Sequence, residues 1–477
     1  MTHTAPPTDG STVLRAAGWM TGSHLLAQTF AYGSLILLAR WLTPTSFGTL
    51  AVGTAIVYVA VLFVDHGTLG GLIVRQSLTR TDLLRAFRRC LLTACALAAA
   101  MATTAGIVVT HFASGGDAAA VAALALCLPL HALSVVPTAL LQKAMRFRTL
   151  AGLNAAANTG SAMIAVLLAA GGAGVWALVA RQLVLFAVLA AATPVWGRRE
   201  LRDPTSVCSP GRDRTPGGER WFFLFGVALM VTANLDFLTI GATSDAHLVG
   251  LYALAFTIAM APSTHISEQV GRVLFAAAAL QPDNNRQRTE LSVRLMSMLF
   301  VPLLPVAVLA APMVLPAVLG AQWEPMVVPF QVLLIVGVGH AVVNCIGETL
   351  SGNGHIAFRA KVMMIRCAAT LLLLLVLVPA DGIRGAAFAQ LLVFLAYAGV
   401  YVGAGARRAG TSPRALAAQL RPVAAALLVQ VGVGTAAWLM LTGTGVASSA
   451  AAPWAAIIGL ISCLPVLYRL GLRGLLR

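Results

Sequence analysis

Charged residues are scarce in this sequence: Asp, Glu, Lys and Arg together account for 10% of its 477 residues. A soluble domain needs roughly 25% charged residues to cover its surface, so the composition excludes a soluble globular protein. Hydrophobic residues make up 59% of the chain, and the mean hydropathy is +0.86. Lipid must therefore cover most of the surface, and we expect an all-α membrane protein.

Several chemical signatures are also missing. The seven cysteines form no C-x-x-C motif and show no metal-ligand spacing, so neither a disulfide framework nor a zinc site is indicated, and no cofactor is expected. The chain contains no G-x-x-x-x-G-K-[ST] motif, so it carries no ATPase of its own.

Long apolar runs are what the chain has instead. Each is about 18 to 24 residues long, enough to cross a hydrocarbon core of about 30 Å. Fourteen such runs predict transmembrane helices at approximately 16–40, 47–66, 90–111, 118–140, 149–170, 174–195, 221–241, 247–268, 293–317, 326–348, 359–379, 383–404, 422–442 and 451–468.

The basic residues lie almost entirely on one side of these predicted spans. All but three of the 32 lysines and arginines fall at the termini or at even-numbered junctions, which the positive-inside rule places in the cytoplasm. We therefore expect both termini to be cytoplasmic. The odd-numbered junctions are short and neutral or acidic, and they leave little room for an external catalytic site, so we expect no enzyme. The exceptions to the rule are Arg40, Arg181 and Arg384.

The net charge of +16 has the same origin. It is spread over short loops as a bias that sets the topology. It therefore indicates attraction to anionic membrane lipids rather than binding of nucleic acid.

The longest hydrophilic stretch, residues 197–220, divides the chain. It is rich in Pro, Gly and Arg and is typical of a flexible cytoplasmic linker. We predict an N-terminal six-helix half at 1–196, a C-terminal six-helix half at 221–405, and two extra transmembrane helices at 406–477.

Short matches between the halves indicate an internal duplication. Phe147-Arg148 matches Phe358-Arg359, and Gly174 with Gln182 matches Gly382 with Gln390. Because both halves enter the membrane in the same orientation, these matches predict two parallel repeats around a central cleft. Transporters built in this way place a substrate site between the halves and alternate access by rocking them.

Two segments carry a resemblance to a known family. The first is Leu38-Ala39-Arg40-Trp41-Leu42-Thr43-Pro44, followed by Phe47-Gly48. The second is Pro137-Thr138-Ala139-Leu140-Leu141-Gln142-Lys143-Ala144-Met145-Arg146-Phe147-Arg148, followed by Gly174-Val175-Trp176-Ala177-Leu178. Both resemble bacterial polysaccharide or oligosaccharide flippases (Wzx-type), within the multidrug/oligosaccharidyl-lipid/polysaccharide exporter superfamily.

The resemblance implies a flippase of the bacterial plasma (inner) membrane. Such proteins move polyprenyl-diphosphate-linked oligosaccharide from the cytoplasmic to the outer leaflet for surface polysaccharide assembly, next to polymerase or ligase machinery. The alternatives are a multidrug or small-molecule exporter of the same superfamily, a membrane polysaccharide polymerase or ligase, and a scaffold.

Polar side chains recur at helical spacing inside the spans, which places each set on one helix face. They indicate either a shared water-accessible cleft or interhelical hydrogen bonds in a closed bundle. His24, Gln28, Asn154, Asn158 and Asn344 are the candidates for binding substrate. The full sets are Thr21, His24, Gln28 and Tyr32; Asn154, Asn158 and Ser161; Thr232, Asp236 and Thr239; His131, Ser134 and Thr138; and His340, Asn344 and Glu348.

Charges inside a span are costly and usually face a partner or a cavity. Arg181 and Asp236 have similar predicted depths in different halves. We expect either a gate-like ion pair or a phosphate-binding Arg181 with Asp236 as its counter-ion, with a static structural pair as the alternative. Arg40 is a candidate for holding the substrate headgroup or closing the outer gate.

Further titratable and cationic residues lie toward the predicted cytoplasmic side. Glu348 is expected to meet Arg366. The candidates for gating or ion coupling are Asp236, Glu348, His340, Asp65 and Glu268. The candidates for the first contact with an incoming diphosphate are Arg75, Arg148, Arg359 and Arg366, most of which also fit the positive-inside pattern.

Overall fold

The structure is a computed structural model. It describes residues 30–65, 72, 78–112, 117–144, 146–202, 218–267, 270–271, 274, 284–443 and 448–472. These residues form helices and turns, with no β-sheet among them. The prediction of an all-α protein is confirmed for this part of the chain.

The chain divides into two compact units. The first comprises Met1–Ser46, Ile56–Ile107 and Asp117–Arg212, and the second comprises Phe47–Ala55, Val108–Gly116 and Asp213–Arg477. The division after Arg212 falls inside the stretch predicted to be a linker. The finer boundaries predicted from the sequence stay predictions.

Eight helices of the described residues lie mainly in the first unit. They are α1 (Phe30–Trp41), α2 (Pro44–Asp65), α3 (Arg80–Phe112), α4 (Ala118–Leu124), α5 (Cys127–Lys143), α6 (Phe147–Ala170), α7 (Val175–Trp196) and α8 (Arg198–Arg202).

The second unit contains the remaining helices. They are α9 (Gly218–Thr243), α10 (Ala246–Ala259), a π-helix (Pro262–Ser267), α11 (Asn285–Phe300), α12 (Leu303–Leu319), a 3₁₀ helix (Ala321–Met326), α13 (Val327–Gly352), α14 (Ile356–Val400), a π-helix (Tyr401–Gly405), α15 (Ala406–Arg408), α16 (Pro413–Gly443), α17 (Ser448–Val466) and a final π-helix (Leu467–Leu472).

Helical residues occur in all of the predicted spans, although the first is described only from Phe30 onward. In the described ranges, 11 helices are long and apolar enough to cross a membrane, and Phe30–Trp41 and Ala246–Ala259 are shorter apolar helices. One of the long segments, Ile356–Arg408, covers two predicted spans. The exact number of crossings stays a prediction.

Two glycines in a left-handed conformation determine where helices turn. Gly174, just before α7, has φ 57° and ψ −134°, and Gly382 has φ 54° and ψ −130°. This region is accessible to glycine and strained for other residues. Asp381 and Gly382 interrupt α14 and divide it into two limbs, which correspond to the predicted spans 359–379 and 383–404.

The turns before α6 and α14 share a backbone hydrogen-bond pattern. Ala144 N–H donates to Leu140 O and Arg146 N–H to Leu141 O, as Asn353 N–H donates to Thr349 O and His355 N–H to Leu350 O. Counterparts in the two turns are separated by the same number of residues, as Ala144 and Asn353 are. This interval relates Phe147 to Ile356, so the match of Phe147-Arg148 with Phe358-Arg359 is displaced by two residues. The similar turns agree with an internal duplication, which itself stays a prediction.

Glycine allows close helix contacts within the second unit. A Cβ atom at Gly337 on α13 would collide with the carbonyl oxygen of Ala259 at the end of α10. A Cβ atom at Gly48 on α2 would likewise collide with the carbonyl oxygen of Ala246. Small residues allow such backbone approach in membrane helices, where packing rather than hydrophobicity holds helices together.

We expect Gly337→Ala to destabilise the purified protein by about 2 kcal/mol, because overpacking typically costs about 1–3 kcal/mol. Thermal unfolding in detergent measures this as a lower melting temperature. The matched control is Gly399→Ala in α14, where a Cβ atom would meet nothing within 4 Å. Equal melting temperatures for the two variants would contradict the packing argument.

Candidate functional site

Arg359 lies one turn into α14 with its side chain only 7% exposed. Its Nη2 donates to Glu348 Oε1 at 2.8 Å and to Asn344 Oδ1 at 3.3 Å, and its Nη1 donates to Ser351 Oγ at 2.8 Å. The Phe225 ring of α9 lies 4.5 Å from the guanidinium carbon. The predicted polar stripe of α13 therefore faces α14.

The expected contact between Glu348 and Arg366 is wrong, because Glu348 pairs with Arg359. Helices α13 and α14 form an antiparallel hairpin, so residues equally far from its turn meet. Glu348 and Arg359 each lie about one helical turn from it, whereas Arg366 lies about three turns into α14.

Arg366 instead contacts His340, deeper in the hairpin. Its Nη2 lies 2.9 Å from His340 Nε2, and its guanidinium carbon lies 4.8 Å from the centre of the Tyr397 ring. The His340 ring also contacts Phe394 and Tyr397 edge-on or tilted. Because a guanidinium can only donate, Arg366 Nη2 donates this hydrogen bond and His340 Nε2 accepts it.

Asp236 on α9 is held by two neutral donors. Tyr252 Oη donates to its carboxylate at 2.6 Å, and Gln390 Nε2 lies 2.8 Å from both carboxylate oxygens. Asp236 is 1% exposed and interacts electrostatically with Arg366. Tyr252 was not predicted as a site residue, and Gln390 was noted only for its match to Gln182.

We call this set of interacting side chains the polar array. All its members belong to the second unit, on α9, α13 and α14. They are Asp236, His340, Asn344, Glu348, Arg359, Arg366 and Gln390.

Polar side chains of the first unit also meet between its helices. His131 Nε2 on α5 lies 3.0 Å from Asp65 Oδ1 at the end of α2, and Gln182 Nε2 on α7 donates to Tyr58 Oη at 3.0 Å. Arg181 interacts electrostatically with Tyr58. The interval between His131 and His340 equals that between the matching turns, so the two histidines occupy equivalent positions in the proposed repeats.

Other predicted residues show no convergence on a site within their unit. Asn154 and Asn158 are exposed on α6, and their amides donate to the Leu150 and Asn154 carbonyls of the same helix. Arg40 is exposed at the end of α1. The Arg181–Asp236 pair would join the two units and stays a prediction.

Several predicted residues cannot be placed. His24, Gln28, Arg75 and Glu268 lie outside the described residues, and Arg148 is described only by its helical backbone. Within the part of the chain that the structure describes, no group of three or more His, Cys, Asp or Glu residues could hold a metal ion.

The polar array is suited to binding an anion that carries several oxygens. A guanidinium presents a planar set of N–H donors that matches carboxylate or phosphate, and it stays charged when buried. The neighbouring amide, imidazole and phenol groups can donate to and accept from hydroxyl groups.

The chain is similar in sequence to proteins of polysaccharide biosynthesis. A family model described as "Polysaccharide biosynthesis protein" matches residues 37–328. The succinoglycan biosynthesis transport protein ExoT of Rhizobium meliloti (strain 1021) is 26% identical over 329 residues, covering 67% of this chain and 65% of that protein. The lipopolysaccharide biosynthesis protein WzxC of Escherichia coli (strain K12) is 28% identical over 146 residues, covering 30% of this chain and 29% of that protein.

A third relative, the teichuronic acid biosynthesis protein TuaB of Bacillus subtilis (strain 168), is 29% identical over 148 residues, 29% of this chain and 31% of that protein. The matches therefore span less than two thirds of each relative. Among solved structures, lipid II flippase MurJ in its inward closed conformation matches 96% of this chain and 100% of its own, with a TM-score of 0.70 and 9% sequence identity. That likeness shows the fold alone: a multi-pass membrane protein. ExoT is named as a transport protein rather than an enzyme, in agreement with the sequence prediction.

Removing the Asp236 carboxylate should destabilise the second unit. We expect Asp236→Ala to lower the free energy of unfolding by about 3 kcal/mol, because Tyr252 and Gln390 become buried donors without an acceptor and Arg366 loses its nearby carboxylate. Thermal unfolding in detergent measures the effect. Asp381→Ala is the control, since Asp381 is exposed. A melting temperature as high as that of the control would contradict this account of Asp236.

Proposed function

The chain belongs to the polysaccharide biosynthesis protein family, and from this premise we propose that it is a flippase for lipid-linked oligosaccharide. Its substrate is an oligosaccharide attached to a polyprenyl diphosphate. The protein moves this lipid from the cytoplasmic to the outer leaflet of the bacterial plasma membrane by alternating access, for assembly into surface polysaccharide.

The names of the similar proteins support this proposal. Two relatives are named for the biosynthesis of lipopolysaccharide and of teichuronic acid, and a third for transport in succinoglycan biosynthesis. The similar fold belongs to a flippase of lipid II. What the names of the three relatives have in common is the biosynthesis of a glycan polymer.

The observation that carries the proposal is the presence of Arg359 and Arg366 on one face of α14. They lie two helical turns apart, about 10 Å along the axis, inside an apolar segment of 53 residues. Charges are retained in such segments when they serve a substrate path or another function. Two guanidinium groups at this spacing fit a diphosphate headgroup, and Asn344 and Gln390 offer groups for sugar hydroxyls.

The remaining predicted residues take roles consistent with this transport. Asp236, His340 and Asp65 are proposed to couple gating to the movement of helices, together with Glu268. Arg75 and Arg148 are proposed to meet the diphosphate on the cytoplasmic side, where both termini also lie. We propose that Arg40, Arg181, Asn154, Asn158, His24 and Gln28 contact the substrate along its path, and that a polymerase or ligase receives it.

Deletion of the gene in its native host tests the function. We expect polyprenyl-diphosphate oligosaccharide to accumulate in the cytoplasmic leaflet, as measured by lipid extraction and by protection of the glycan from an external glycosidase. Wild-type protein should restore export. Arg366→Ala should restore less than about a tenth of it, because one charged hydrogen bond to phosphate contributes about 1.5–3 kcal/mol.

The matched control is Arg384→Ala, an exposed arginine at the break of α14, which should restore export fully at equal protein abundance. Unchanged lipid intermediates together with altered drug sensitivity would instead identify a drug exporter. Full export by Arg366→Ala would remove Arg366 from the substrate path.

A further inference from the structure

The two carboxylates of the polar array are held in different ways. Asp236 is 1% exposed and is fixed by Tyr252 and Gln390. The Glu348 side chain is 23% exposed, and among the described contacts it accepts a hydrogen bond from Arg359 alone. Asp236 is therefore anchored in place, whereas Glu348 can leave its partner toward its exposed side.

Arg359 has other partners besides Glu348. Ser351 and Asn344 accept from its guanidinium, and Phe225 lies against its face. A Cβ atom at Gly347 would lie 3.2 Å from Arg359 Nε, so the glycine at this position makes room for the group. The guanidinium donates through both Nη1 and Nη2, so it can bind a ligand with more oxygens than one carboxylate.

We propose that Glu348 is an internal stand-in for the substrate diphosphate. Without substrate, the Glu348 carboxylate occupies the anion position on Arg359; a diphosphate displaces it and binds the same N–H donors. The proposal deepens the proposed function and rests on it. The exchange keeps the charge of Arg359 paired, because the buried guanidinium has an anionic partner both with and without substrate. It thereby avoids the large free-energy cost of an unpaired buried charge.

The surroundings of Arg359 favour an incoming anion of higher charge than a carboxylate. Lys361 is exposed and lies 5.5 Å from the ring of Trp221, and Arg408 lies 4.3 Å from the ring of Phe358. Lys361 is two residues from Arg359 in the chain, and Arg408 packs against Phe358, the residue before Arg359. They attract a diphosphate more strongly than a singly charged group. A neutral lipid cannot displace Glu348 from Arg359, so Glu348 makes the site selective against neutral lipids.

The affinity for diphosphate should rise when the competitor is removed. We would measure binding of farnesyl diphosphate, inorganic pyrophosphate and farnesol to the full-length protein in phosphatidylcholine nanodiscs. Glu348→Gln should bind farnesyl diphosphate about tenfold more tightly than wild type, because a neutral amide competes weakly for Arg359. Arg359→Gln should bind it at least about tenfold more weakly, and Arg384→Gln should match wild type. Farnesol should not bind in any of them.

The sign of the Glu348→Gln effect decides the inference. Equal or weaker binding by a folded Glu348→Gln protein overturns it and leaves Glu348 as a structural partner of Arg359. If Arg359→Gln does not fold, Arg359→Lys replaces it, and wild-type affinity in that variant also overturns the proposal. Tight binding of pyrophosphate without farnesyl diphosphate would identify a soluble anion as the ligand and overturn the lipid assignment.

The outcome is separable from that of the transport assay. Tighter binding by Glu348→Gln in a protein whose deletion leaves lipid intermediates unchanged would support the exchange at Arg359 and refute the flippase function. Restored export with no change in affinity would do the reverse.

Discussion

A charged side chain inside a membrane span must find a partner within the protein, because hydrocarbon supplies no water to solvate it. The α13–α14 hairpin depends on this constraint. Arg359 is satisfied by Glu348, Asn344 and Ser351, while Arg366 takes His340 and the nearby Asp236. The groups that satisfy the two arginines come from α9 and α13, so the contacts that neutralise charge are also contacts that hold these helices together.

Helix register and small residues decide which partners the arginines reach. In the antiparallel hairpin, residues at equal distance from the turn meet, which pairs Glu348 with Arg359 and leaves Arg366 to His340. Gly347 provides the space in which Arg359 and Tyr401 approach α13. Electrostatic pairing here follows from backbone geometry, since a shift of one helical turn would give each arginine a different partner.

The contrast between Asp236 and Glu348 links this packing to the proposed transport. A carboxylate fixed by several donors stabilises one arrangement of helices, whereas one held by a single exchangeable partner can be replaced by a substrate anion. A flippase needs both: a stable framework around the site, and a site that releases its occupant on each side of the membrane. The polar array provides both kinds of contact to α14: Asp236 on α9 accepts from Gln390, and Glu348 on α13 accepts from Arg359.

The sequence by itself determined the class of protein, the positions of the apolar helices and the stripe of His340, Asn344 and Glu348, because these depend on composition and on the helical period. It matched Gly382 to Gly174 as a mark of duplication, whereas the left-handed conformation of both glycines came from the structure. Only the tertiary structure decided that Glu348 pairs with Arg359 and that Tyr252 and Gln390 hold Asp236. Those partners are set by the register between helices that pack side by side, and many alternative registers bury the same apolar surface.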